Sequence, residues 1–190
     1  MKIGTMKKIV LTLAIAVVAA FSNAQIVVDS SDFAAIGDVI YTAQDTQVTG
    51  ITVPAGSNTA QSWDYSALTT HVLDSAEFLN PAATSGASEF PGADIALLQD
   101  GQYVYLEKTD THLDIIGLYG DITGQGIVLP IKPSPAQRNM FFPSTLGTTF
   151  TNSSVIDSTV EDTYTGIFDS LRLRRLTDIS SEIDAFGSLT

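Results

Sequence analysis

Apolar and polar positions alternate in short runs along most of the chain, and turn residues separate the runs. Alternation with a period of two predicts strands whose two faces meet different surroundings. Val39-Ile40-Tyr41 follows the turn pair Gly37-Asp38, and Val48 to Val53 ends at Pro54-Ala55-Gly56. Within Thr70 to Leu79, Leu73 and Leu79 fall on one face and Val72 and Phe78 on the other. Gln102 to Lys108, QYVYLEK, sets Tyr103 and Tyr105 against Val104 and Leu106. Apolar groups on both faces predict a strand buried on both sides at its centre. Leu113 to Tyr119 and Ile127 to Ile131 continue the series. Pro130 and Pro133 mark a strand end or a sheet edge, because proline donates nothing to a ladder. Thr159 to Thr165 and Ile167 to Leu176 close the series near the C-terminus.

No window shows a capped amphipathic helix of several turns. Ala82 to Glu89 has room for a single helical turn, which Gly86 keeps short. The pattern therefore predicts roughly seven to nine strands in an antiparallel β-sandwich, immunoglobulin-like or jelly-roll-like. Asn80 to Gly92 and Lys132 to Asn139, KPSPAQRN, are loops longer than a hairpin needs. Such loops are either functional or crossovers between sheets.

The N-terminus changes the picture. Lys2, Lys7 and Lys8 precede an apolar run from Ile9 to Phe21 that only Thr12 interrupts, and Ser22-Asn23-Ala24 follows. A basic start, a short apolar stretch and small residues at the boundary predict a cleaved secretory signal over residues 1–24. The run is shorter than the roughly 20 residues a spanning helix requires. The domain then covers residues 25–190, with no membrane span after cleavage. Met6 serves equally well as a start, since Lys7 and Lys8 alone supply the basic region.

The 190-residue chain less residues 1–24 leaves 166, enough for one domain with a real core. Cleavage takes three lysines and no acid, so the net charge goes from −12 to −15. A chain this acidic repels nucleic-acid phosphates and anionic lipid surfaces. Its one basic cluster, Arg172, Arg174 and Arg175, is too small for a nucleic-acid footprint. The chain has no cysteine, so an exported form has no disulfide framework and no lipid-anchored cysteine. Its stability must come from burial.

Several stretches resemble a group of exported Bacteroidetes proteins. Ser57 to Leu68, SNTAQSWDYSAL, is similar to their N-Q-x-W-D-[FY]-S-x-L segment. Phe90 to Gly120 resembles their F-P-x-A-x-x-A run and the paired strands after it, and Phe141 to Ser154 their P-L-x-[YF]-G-x-[ST]-[WF]-x-[DN] stretch. Ile183 to Thr190, IDAFGSLT, resembles V-D-G-[YF]-G-[ST]-L-x-x-P, which in those proteins introduces one more strand. The resemblance implies an all-β domain exported to the cell surface or medium. Such proteins commonly end in a sorting domain read by the type IX secretion machinery. This chain departs from the pattern by stopping at Thr190, so the resemblance implies a domain truncated at its C-terminal end. Its implied partners are the export machinery, surface glycans and other surface proteins. It carries no catalytic residue over.

Candidate chemistry is sparse. Trp63, the single tryptophan, has two readings. As core, its indole fills the fold while Asp64 and Ser66 satisfy turn amides. As a platform, Trp63 and Tyr65 share one strand face and stack on a glycan. Core is favoured, because a lone tryptophan in a domain of this size is usually highly buried. The two histidines, His71 and His112, sit in no nucleophile or zinc motif. His112-Leu113-Asp114 puts a histidine and a carboxylate on one strand face, either as a metal pair or as an ordinary exposed strand start. Calcium is the metal that acidic loops of an exported protein would take. Yet Asp110 to Asp114 lacks the glycine of such a loop, and no cofactor, metal or catalytic residue is expected. The composite expectation is a non-catalytic structural or adhesive module. The alternative is a glycan-binding or accessory part of a polysaccharide hydrolase.

Overall fold

A computed structural model describes residues 26–49, 51, 55–121, 124, 126–161 and 169–189. The predicted signal lies outside the described residues. The fold is all-β and sandwich-like. Its strands are β1 (Val39–Gln44), β2 (Gln61–Trp63), β3 (Val72–Leu79), β4 (Ile95–Gln99), β5 (Gln102–Lys108), β6 (His112–Gly120), β7 (Leu129–Ile131), β8 (Gln137–Phe141), β9 (Thr149–Glu161), β10 (Ser170–Glu182) and β11 (Gly187–Leu189). Seven of them form one antiparallel sheet in the order β1-β3-β4-β5-β6-β7, and β8 pairs with β6 beyond the end of β7. The long strands β9 and β10 make a two-stranded antiparallel ribbon, and β2 pairs with β11 in parallel.

The alternation of QYVYLEK decides where the core sits. Leu106 is buried in one cluster with Phe78, Ile95, Leu113 and Phe142. Its neighbour Tyr105 is buried in another with Phe90 and Ala96. Consecutive residues Ile95 and Ala96 divide in the same way, so the clusters lie on opposite faces of one sheet. The first face is covered by Val28, Phe33 and Ala34 from the N-terminal segment, with Met140 of β8. The second is covered by the segment after β3. Two 3-10 turns, Pro81–Ala83 and Ala87–Glu89, stand here instead of the single turn expected over Ala82 to Glu89, one on each side of Gly86. They deliver Phe90 onto Tyr105 as a stacked pair with ring centroids 4.3 Å apart. The Tyr105 hydroxyl bonds the Thr84 hydroxyl at 2.6 Å, which satisfies a polar tip with no exposure to water. Gly117, opposite Tyr105, has no room for a side chain because the Phe90 ring occupies that space. Asn80 to Gly92 is thus a lid over one sheet face.

Several expectations need correction. Lys132 to Asn139 is not all loop, since Gln137–Phe141 pairs with β6. Its polar side chains hide a strand whose partner is chosen by the backbone. The strand expected over Val48 to Val53 lies partly outside the described residues, and Val48, Thr49 and Ile51 belong to no strand. The eleven strands among the described residues exceed the expected number, because β2, β4, β8 and β11 are short and the first half of β9 is mostly polar. The proline expectation holds: β7 contains Pro130 and ends the sheet order. Among the described residues, no helix is long and apolar enough to cross a membrane.

Candidate functional site

Trp63 ends β2, where it lies opposite Leu189 of β11. Its ring reaches over Gly187, and a side-chain carbon added there would lie 2.7 Å from the indole Cζ3. Trp63 is partly buried and belongs to neither buried cluster, so it packs at the β2–β11 pair rather than at the centre of the large sheet. Tyr65 lies beyond the strand end, within a turn closed by the Leu68 amide donating to the Tyr65 carbonyl at 2.9 Å. Strand alternation therefore does not place the two rings on one face. Asp64 behaves as the turn chemistry predicts: its Oδ1 accepts from the Ser66 amide at 2.9 Å. The Ser66 hydroxyl and then its amide hold the Asp64 carboxyl below its ordinary range, by favouring the ionised form.

Each histidine has an acidic neighbour. His71 Nδ1 lies 3.0 Å from Asp45 Oδ1, beside a cavity of about 210 Å³ lined also by Gln47, Ala67 and Thr69. The Thr69 amide, then the Gln47 amide and His71, hold the Asp45 carboxyl below its ordinary range. Asp45 thus ties two chain segments together through backbone donors at 3.0 and 2.8 Å.

The second histidine stands in a larger group. His112 and Asp114 project from one face of β6, while Leu113 between them is buried in the core on the other. Register places Glu107 of β5 opposite Asp114. A shift in the β6–β8 register between Leu113 and Asp114 sets Arg138 opposite Asp114 on the other side. Arg138 grips Asp114 with two donors: Nε bonds Oδ1, and a terminal nitrogen bonds Oδ2 at 3.0 Å. The guanidinium also lies over the Phe141 ring, 4.5 Å from its centroid. His112 Nδ1 lies 3.0 Å from the hydroxyls of both Thr109 and Thr111. His112 Nε2 faces Asp114 Oδ2 at 3.8 Å. Asp114 is 6% exposed, which a carboxylate tolerates only when paired.

Among the described residues, Glu107, His112 and Asp114 are the one group of three side chains whose ligand atoms lie within 4.8 Å of one another. The sequence shows the His112–Asp114 half of this group, two residues apart on one strand. Glu107 and Arg138 carry no such signal, because only the pairing of β5 and β8 with β6 brings them there. Asp110, the other acid of this loop, turns away toward the Ser30 hydroxyl at 3.5 Å. Compared with known protein families, curated proteins and solved structures, the chain matches none.

Proposed function

We propose that this chain is a non-catalytic exported module, structural or adhesive, of the Bacteroidetes surface-protein kind, delivered by the secretory route to the cell surface or medium. The observation that carries the non-catalytic reading is the Arg138 clamp on Asp114. A general acid must hold and release a proton. A buried carboxylate whose two oxygens are both taken by a guanidinium is occupied in strand pairing instead. The basic, apolar and small-residue order of residues 1–24 supports the export reading.

Two measurements test this. Cells producing the chain with and without residues 1–24 are fractionated, and the exported species is weighed intact. A mature form beginning at Gln25 is expected, and retention of the unprocessed chain in the cytoplasm overturns the export reading. Purified protein is then incubated with polysaccharides. Release of new reducing ends that disappears in Asp114→Asn would overturn the non-catalytic reading.

The partly exposed indole outside both buried clusters supports a second reading, glycan binding at Trp63 with Tyr65 two residues on. Trp63 is the single tryptophan, so its emission reports that corner without ambiguity. A saturable shift or quench on adding a soluble glycan would make glycan binding the leading function. Emission indifferent to glycans is the outcome expected of a structural module.

A further inference from the structure

We propose that Glu107, His112 and Asp114 form a binding site for one divalent transition-metal ion of the zinc class, with Arg138 orienting the buried carboxylate from behind. The site goes beyond the module reading and does not depend on it.

The distances point to a shared ion rather than to a histidine–carboxylate hydrogen bond. His112 Nε2 and Asp114 Oδ2 are 3.8 Å apart, too far for such a bond. Two ligands at about 2.1 Å from one ion stand roughly 3.4 Å apart at a tetrahedral angle and up to roughly 4.2 Å apart when opposite. The third ligand atom, on Glu107, lies within 4.8 Å of the other two, near enough to share one ion with them. Its carboxylate is half-buried, and no ion pair or side-chain hydrogen bond among the described residues engages it.

The surroundings resemble the outer shell of a metal site. A ligating imidazole is held through its second nitrogen, which fixes the ring and turns the other lone pair to the ion. Here two threonine hydroxyls flank His112 Nδ1, and Nε2 faces the Asp114 carboxylate. Arg138 leaves room for the ion, because each carboxylate oxygen offers two acceptor positions and Arg138 fills one on each. Charge agrees as well. Two carboxylates outweigh one guanidinium, so the group attracts a cation. An imidazole among the ligands selects zinc-like ions over calcium, which takes oxygen ligands.

The full chain, freed of metal with a chelator, is titrated with zinc chloride by calorimetry and by thermal melting. One ion per chain and a raised melting midpoint are expected, since an ion bound to the folded state alone stabilises it. Glu107→Gln preserves shape and removes one ligand's charge. It should weaken binding at least about tenfold, no less than the loss of an outer-shell partner costs. His112→Gln should do the same, while His71→Gln should leave affinity unchanged. Nitrogen-15 spectra should show the His112 Nε2 signal moving on zinc addition. Calcium chloride at equal concentration should produce none of these changes. Absence of zinc binding overturns the proposal. So does binding that survives Glu107→Gln, that depends equally on His71, or that calcium reproduces. If His112→Gln fails to fold, Glu107→Gln and the nitrogen signal decide.

Discussion

The centre of the seven-stranded sheet and the β9–β10 ribbon are both antiparallel, yet different forces hold them. At the centre, Tyr105 and Leu106 are sealed on opposite faces, at 0% and 3% exposure. The ribbon pairs over thirteen residues on each strand, an unbroken ladder from Ser170–Glu161 to Glu182–Thr149. Its side chains are mostly outside, however, with Leu176 at 66% exposure. Among the described residues Ile156 and Ser154 are its buried points, and the Ser154 hydroxyl there has no hydrogen-bond partner. Arg172 and Asp157 supply an exposed cross-strand ion pair at 2.5 Å. Ladder hydrogen bonds replace bonds to water and give little net stability each, whereas buried apolar area drives folding. Length of pairing is thus a poor guide to which region holds the molecule together.

The largest test of that contrast is Tyr105→Ala. Removing a fully buried aromatic should cost about 3–5 kcal/mol in a urea unfolding curve, as large core truncations do. A cost below about 1 kcal/mol would mean the second face is not a packed core. Gly117→Ala should come next, at about 1–3 kcal/mol, because the new methyl drives into the Phe90 ring. Tyr103 and Tyr119 pack against the same cluster, and their displacement should appear as altered near-ultraviolet dichroism. In the ribbon, Leu176→Ser should stay within about 0.5 kcal/mol of the parent despite deleting a large apolar group. Arg172→Ala should have the smallest effect, leaving the midpoint unmoved within error.

The same ion pair gives the ribbon its own pH response. The Arg172 hydrogen bond, then the Arg172 and Arg174 charges, hold Asp157 below its ordinary carboxyl range. A depressed native value contributes stability above the unfolded value of about 3.9. That contribution is lost as pH falls through the native value. Amide exchange in β9 and β10 should therefore accelerate below about pH 4, and Arg172→Ala should remove that acid response. Ribbon exchange that is independent of pH once intrinsic rates are divided out would contradict it.

The contrast also sorts what could be read in advance. QYVYLEK announced its two-sided burial because both alternating sets are apolar, and the two clusters confirm it. The proline-bearing edge strand β7 followed from local chemistry that tertiary packing had no reason to override, whereas Ala82 to Glu89 holds parts of two short turns where one was expected. β8 was illegible because Gln137, Arg138 and Asn139 look like loop, and their strand character comes from β6. Leu73 shows the converse, an apolar position on a correctly predicted strand that remains 75% exposed. Alternation names two faces but not which of them is covered. Trp63 illustrates the same limit. As the lone tryptophan it reads as core, and it is partly buried, but at the end of a three-residue strand it joins neither cluster. The acidic–histidine group was half-legible: spacing along β6 gave one pair, and register across three strands supplied the rest.

The parallel pairing of β2 with β11 has a kinetic consequence. Gln61 to Trp63 and Gly187 to Leu189 lie more than a hundred residues apart along the chain, so their contact encloses most of the domain. Loop-closure entropy opposes such a contact until nearer segments have condensed, and chains rich in distant contacts fold slowly. The hairpins β4–β5 and β5–β6, joined by short turns, can condense first. Trp63 sits in the strand pair with this wide separation, so its emission should trail far-ultraviolet dichroism in a stopped-flow refolding experiment. The tryptophan that suggested a binding surface thereby becomes a clock for this long-range step of folding.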